Sequence, residues 1–390
     1  MGESPTAEDT QVRHTNWEIP RSVFWCFAAV AVAARAAFLP YVSEDSALFL
    51  LPWMQEFRDR GVGALAGEFS NYNFPYLFLM FLASLLPADP LIAIKIVSLA
   101  GDFFLAFSVA ALAAQFPQAR VAPKLAALIA LFLPTVLLNA SMWGQCDAIY
   151  TAFLLFSLRS LLQDDGRSAW LFWAVAFSFK LQSVFLLPVL AMVSLRNRYS
   201  LFFPVLATAV WTVLSLPPVV FGRPAGGALG VYFEQTQGDR LLSGAANVFA
   251  WFPYASVTQG RGWGILSCAV VIVLIALAYW RRKDTAESRI LLAVCTVAVC
   301  PLLLPQMHDR YFFTAEVMSL LLLRASSVRM IPWVFSVTGL TVYLLYFGGN
   351  HYAWPLMIAS VVQALGVFLL FLCLAKNRDP WERRLVAASP

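Results

Sequence analysis

Predominantly apolar runs recur along the chain at about 22–40, 91–115, 124–139, 147–162, 200–220, 262–280, 288–304, 311–324, 330–347 and 354–375. Each is long enough, or nearly so, to cross a ~30 Å hydrocarbon core as a helix, the simplest element that satisfies its own backbone hydrogen bonds in lipid. The stretch 168–195 is also apolar but carries Lys180 and Gln182 at its middle. It predicts two short helices meeting at Lys180, over a thinned or water-filled vestibule. Residues 74–87 (FPYLFLMFLASLLP) are too short to span and are bounded by proline, which suits an interfacial or re-entrant segment. The fold class that follows is an all-α polytopic membrane protein of about 12 transmembrane helices, with amphipathic or re-entrant helices in the first extracytoplasmic loop.

Only 13% of the 390 residues are charged, about half the share usual in soluble domains, so a nucleic-acid partner has no support. The placement of the basic residues orients the chain. Beginning inside, the short inner segments collect most of the lysines and arginines, including Arg281, Arg282 and Lys283 and the Lys376–Arg378 stop. If residues 74–87 spanned, every later loop would invert and that bias would collapse. This gives a cytoplasmic tail at 1–21, an integral domain at 22–375 with its first extracytoplasmic loop at 41–90, and a cytoplasmic tail at 376–390. The run at 22–40 is followed by no small-residue cleavage pattern and reads as a retained span of an inner or plasma membrane protein. The six cysteines show no metal-ligand spacing, and five of them lie in apolar runs; Cys146, in a short polar loop, is assigned no chemistry.

Polar residues embedded among aromatics gather on the outer side. In YVSEDSALFLLPWMQEF, Glu44 and Asp45 precede a stretch whose apolar residues Leu48, Leu51, Trp53 and Phe57 predict a helix lying along the membrane surface. Two readings fit the acidic pair: helix-start capping, or an acid held near the headgroup plane for chemistry. In NASMWGQCDAIY, Asp147 follows Trp143, Gly144 and Gln145 at the apolar boundary, where an ionisable group is expensive and usually has a task; its rival role is with the helix dipole. Lys180, His308 and Arg310 break the inside-positive pattern, so they either neutralise Asp45, Asp147 or Asp309 or bind an anion such as phosphate. Asn71, Tyr72 and Asn73 of FSNYNFPYLF, with Gln182 and Tyr311, supply the amides and phenols that suit sugar hydroxyls or, equally, an interfacial turn.

Five segments in order, SEDSALFLLPW, FSNYNFPYLF, WGQCDAIYTAF, SFKLQSVFLLP and LPQMHDRYFF, spread over about 36–325, resemble the GT-C superfamily of polytopic glycosyltransferases. The likeness is greatest to bacterial mannosyltransferase-like proteins related to the second GPI mannosyltransferase. The resemblance implies a transferase that takes a sugar from a polyprenyl-phosphate donor on the outer face. It implies that Asp45 is the catalytic acid of the first loop and that Asp147 is the acid of the second. His308 and Arg310 would lie near the donor phosphate, with Lys180 and Gln182 matching a KxQ-like junction. The chain departs from the family at Cys146, where a small residue such as Ala is usual, and in a short C-terminal part without a soluble outer domain.

The chemistry fits these residue types. An acceptor hydroxyl needs its proton taken, and a carboxylate within hydrogen-bond reach is the simplest base. A departing phosphate needs cations more than a proton donor, and a single displacement inverts the anomeric carbon. The expected partners are therefore a polyprenyl-phosphate-linked sugar, a glycan or glycolipid acceptor and membrane lipid. Asp309 is expected to position Arg310 or the His308 ring. A divalent metal is the one cofactor these residues suggest: Asp45 and Asp147 could hold it, though no third ligand is evident. The alternatives are a transporter or lipid flippase, which should show repeats and broken helices in matching halves, and a polysaccharide polymerase or ligase, which should show an Arg-rich loop where 221–261 has only Arg223, Arg240 and Arg261.

Overall fold

The computed structural model describes residues 19–252, 255–349 and 354–376. Nearly all of each expected terminal tail, 1–18 and 377–390, and the centre of GGNHYAWP, 350–353, lie outside them. The described chain is almost wholly helical. α1 (Arg21–Ala36) leads into a single π-helical turn, α2 (Leu51–Arg60) and α3 (Phe74–Ser84). α4 (Pro90–Gln115), α5 (Pro123–Phe132), α6 (Pro134–Leu138), α7 (Asp147–Leu162), α8 (Gly166–Phe179) and α9 (Leu187–Arg196) follow. Next come α10 (Phe202–Ser215), α11 (Pro217–Val220), α12 (Ala225–Gln235), α13 (Val257–Trp280) and α14 (Ala286–Leu303). α15 (Phe313–Ser319), α16 (Ile331–Phe347) and α17 (Trp354–Ala375) complete the set.

Among the described residues five helical segments are long and apolar enough to cross a membrane, or six if the pair Pro123–Phe132 and Pro134–Trp143, bent by 56°, forms one span. The sequence expectation of about twelve is finer than helix length supports. α7 has 16 residues, α8 has 14 and α16 has 17. At 1.5 Å per residue these reach only about 21–26 Å. Proline and polar breaks are the cause. Lys180 ends α8 with an extended backbone (φ −155°, ψ 137°) before the 3₁₀ turn Leu181–Leu186, so the expected junction falls on that residue.

The first loop forms its own small core. Trp53, Met54 and Phe57 of α2 bury against Tyr76, Leu77 and Met80 of α3 and Ile94 of α4. This differs from a helix laid apolar-face down on lipid: Leu48 is exposed, whereas Trp53 and Phe57 point into protein because α3 supplies a better-packed surface than lipid does. α7 and α14 lie at the centre of the main core, and every residue of α14 from Ser288 to Leu302 is buried.

Two of the cations that break the inside-positive pattern, Arg35 and Lys95, are held by local partners. Arg35 donates from Nε to Asp102 Oδ2 at 2.8 Å and from Nη2 to the Leu131 carbonyl at 2.9 Å, tying α1, α4 and α5. Lys95 gathers the carbonyls of Phe38, Leu39 and Tyr41, which close the end of α1 just before Asp45. At the other end of the core, Arg289 joins Asp164 and Asp284, each at 2.7 Å. α7 separates that cluster from Asp147 by about 24 Å of helix.

Asp102→Ala should lower the thermal midpoint in detergent sharply, since stranding a buried arginine costs about 3–5 kcal/mol. The apolar double variant Arg35→Met with Asp102→Leu should recover most of the loss. Equal losses in the single and double variants would contradict this account of the pair.

Candidate functional site

The end of the core carrying Asp147 is built around Arg310. The helix α14 delivers the chain into a loop whose short strand β2 (Met307–His308) pairs in parallel with β1 (Leu242–Ser243), Leu242 opposite Met307 and Ser243 opposite His308. Gln306 enters this pairing with a left-handed backbone (φ 63°), an unfavourable conformation for a residue with a Cβ. Arg310 follows within one turn. Its Nη1 lies 3.0 Å from Asp45 Oδ2 and its Nε lies 3.6 Å from Asp147 Oδ2. The guanidinium also stands 5.2 Å above the Trp143 ring.

Asp45 is not a cap. The side chain that caps this turn is Ser43, whose Oγ accepts from Ser46 N at 3.1 Å and donates to the Trp143 carbonyl. That leaves the Asp45 carboxylate free to turn toward the polar cluster. Its Oδ2 accepts from Trp143 Nε1, Gln145 Nε2 and Arg310 Nη1, at 2.9, 2.9 and 3.0 Å. Its backbone N–H donates to the Tyr346 hydroxyl, and the Tyr346 ring stacks on Trp143 at 3.8 Å. Oδ1 has no hydrogen bond among the described residues, and the carboxylate lines a cavity of about 560 Å³. Gly144 makes the approach feasible: its φ of +80° suits glycine, and a Cβ there would sit 3.4 Å from the Ser46 hydroxyl and from Leu50.

Asp147 differs. It has no exposed surface and does not line the cavity. Oδ1 takes Lys180 Nζ at 2.5 Å, and Oδ2 accepts from Asn139 Nδ2 at 2.9 Å. Lys180 itself lies 5.6 Å over Tyr72 and 5.7 Å over Tyr150, so two aromatic faces and one carboxylate compensate its charge.

The remaining expected residues divide by position. Asn71, Tyr72, Gln145, Lys180, Gln182, His308, Arg310 and Tyr311 line the cavity with Asp45. Among the described residues Gln182 Oε1 is a buried acceptor without a partner, and Tyr72 donates to Gln145 Oε1 at 3.1 Å. Trp143, Asp309, Glu44 and Asn73 do not line it. Trp143 acts from behind by holding Asp45, and Glu44 is exposed away from the cluster. Asn73 caps α3 through Phe74 N at 2.8 Å and donates to Ser215 Oγ at 2.7 Å, which is structural work.

Asp309 does not hold its neighbours closely. Oδ1 stands 3.8 Å from Arg310 Nη1 and has no hydrogen bond among the described residues, while the carboxyl packs over Gly244. Burial pushes the Asp309 carboxyl up to about 7 against the opposing pull of Arg310. His308 opens onto the cavity, yet the enclosing protein and the Arg310 charge hold its imidazole below its ordinary 6.5, so it is neutral at pH 7.

Several residues of the site carry no local sequence signal. Asn139, Tyr150, Tyr343 and Tyr346 sit in apolar helices and act only through the fold; Tyr343 accepts from Asn139 at 3.0 Å. Arg240, Arg261, Gln235 and Gln306 also line the cavity. Among the described residues no group of three His, Cys, Asp or Glu side chains is placed to hold a metal, and Arg310 occupies the position between the two acids. No protein-family model matches the chain, and no curated protein matches it.

Because the folded state binds the Asp309 proton more tightly than the unfolded chain, its contribution to stability is full below about pH 4 and is lost as pH rises through about 7. The thermal midpoint should therefore fall between about pH 5 and 8 by an amount that Asp309→Asn removes. Identical slopes for the two proteins would contradict it.

Proposed function

We propose that the protein is an inverting glycosyltransferase that moves a single sugar, mannose or similar, from a polyprenyl-phosphate donor to an acceptor hydroxyl of a glycan or glycolipid on the extracytoplasmic face. The observation that carries this reading is the state of Asp45. One carboxylate oxygen is fixed by three donors and the other is uncommitted, in a cavity of the size that holds a small ligand. That is the geometry of a general base: an orientation set from one side and a free lone pair on the other.

In this reading the acceptor hydroxyl gives its proton to Asp45 Oδ1 as its oxygen attacks the anomeric carbon. The bond from that carbon to the phosphate oxygen breaks, and the lipid phosphate departs as an anion. Arg310, with Trp143 and Gln145, keeps Asp45 aimed. Asp147, locked to Lys180 and Asn139, anchors Arg310 rather than meeting substrate. Gln182, Tyr72, Asn71 and Tyr311 offer polar groups to a sugar, with Phe49, Trp53 and Phe185 as apolar wall.

A lipid substrate requires a lateral opening. Ile265 of the apolar helix α13 is 53% exposed and Phe49 is 45% exposed, and both line the cavity. This supports entry of a lipid from the bilayer. The shorter apolar helices, with local thinning of the bilayer, would complete about twelve crossings and keep the described ends of the chain on the cytoplasmic side.

With polyprenyl-phosphate mannose as donor, Asp45→Asn should reduce transfer at least about 100-fold while leaving the folded protein intact. A near-normal rate in that variant would remove Asp45 as the base.

A further inference from the structure

The inner cations are already matched by acids before any substrate arrives. Asp45 and Asp147 face Lys180 and Arg310, and the four are joined by contacts of 2.5 to 3.6 Å. An anion placed there would add negative charge beside two carboxylates. Elsewhere on the same wall the balance differs. Arg240 and Arg261 both line the cavity with Asp239 as the single nearby acid of that loop, and among the described residues neither arginine makes an ion pair.

Their scaffold is built. The Gly238 carbonyl accepts from Arg261 Nη2 and from Gln306 Nε2, both at 2.5 Å. Gln306 N donates to the Leu241 carbonyl at 2.7 Å, so the loop bearing Arg240 is laced to the loop bearing His308 and Arg310. A Cβ on Gly238 would lie 2.6 Å from Gln306 Nε2, which fits a residue chosen for close approach. Arg261 Nε is buried without a hydrogen-bond partner among the described residues. Arg240 lies three residues before Ser243, which pairs with His308 and also lines the cavity; that is at most about 10 Å of chain.

We infer that the phosphate of the lipid-linked donor is held by Arg240 and Arg261, at the loop side of the cavity, and not by the inner cations. The inference rests on the glycosyltransferase reading for the identity of the anion. It divides the work by charge: the inner cluster, its cations matched by acids, handles the acceptor proton, and the outer pair receives the leaving phosphate as charge builds on it.

The test is equilibrium binding of a short-chain polyprenyl phosphate to the full-length protein in detergent, with the matching polyprenol and inorganic phosphate as separate probes. Wild-type protein should bind the lipid phosphate at least about tenfold more tightly than the polyprenol. Arg240→Gln with Arg261→Gln should erase that preference. Arg240→Gln alone, at an exposed side chain, should weaken it without loss of fold, and Arg261→Lys should keep part of it. Unchanged lipid-phosphate binding in the double variant would overturn the subsite while leaving the transferase reading standing. Binding of inorganic phosphate that needs both arginines, without preference for the lipid phosphate, would keep an anion site and overturn the lipid donor. No binding of either phosphate would overturn the subsite.

Discussion

Asp147 has no exposed surface, and a carboxylate in that position is tolerable only because Lys180 and Arg310 are both held within reach of it. Desolvating such charges is costly, and removing one partner strands the other. The cluster therefore acts as a constraint on the chain. It draws together the start of α7, the break after α8 and the loop after α14, and through Arg310 it reaches back across 265 residues to Asp45. Trp143 and Gln145 close the arrangement from the segment just before α7, so the orientation of Asp45 depends on elements throughout the molecule.

That dependence explains why the two acids are unequal. Both are acidic residues at a helix start in the sequence, and both have a bland reading there. In the fold, Ser43 takes the capping task and releases Asp45, whereas Asp147 has both oxygens committed to protein partners. One lines the cavity and the other does not. The distant Arg289 cluster, at the far end of α7 and α14, shows the same logic of paired charges: Arg289 donates to Asp164, Asp284 and the Leu161 carbonyl, and Asp284 also accepts from Tyr279 and Asn197.

Much of this was legible in the sequence where the signal is local. The apolar runs coincide with helices, and the polar pair in SFKLQS marked a backbone break at Lys180 because a lysine in an apolar run must find a partner or water. The outlying cations also announced a need for partners, and Arg35, Lys180 and Arg310 have acidic ones. Other features depend on tertiary proximity and left no trace. The number of spanning helices is blurred by short helices broken at Pro and polar residues, and the surface-lying face expected for α2 was redirected by packing against α3. Tyr346 and Asn139 read as ordinary members of apolar segments, yet one stacks on Trp143 beside Asp45 and the other holds Asp147. Asn73 shows the reverse case, an attractive ligand in sequence that serves a helix cap.

The central claim is that this cavity cleaves the bond between a sugar and a lipid phosphate, in contrast to a path that carries a molecule across the membrane. Between the site and the far charge cluster, α7 buries Leu154, Leu155, Leu158 and Leu161 together with Thr151, Ser157 and Ser160. The direct measurement is to reconstitute the purified protein in vesicles with polyprenyl-phosphate mannose labelled in the sugar, together with a lipid extract as acceptor source. The account predicts free polyprenyl phosphate and labelled acceptor in equal amounts, with the anomeric configuration inverted. Movement of intact labelled lipid between leaflets, with no bond cleaved, would contradict it.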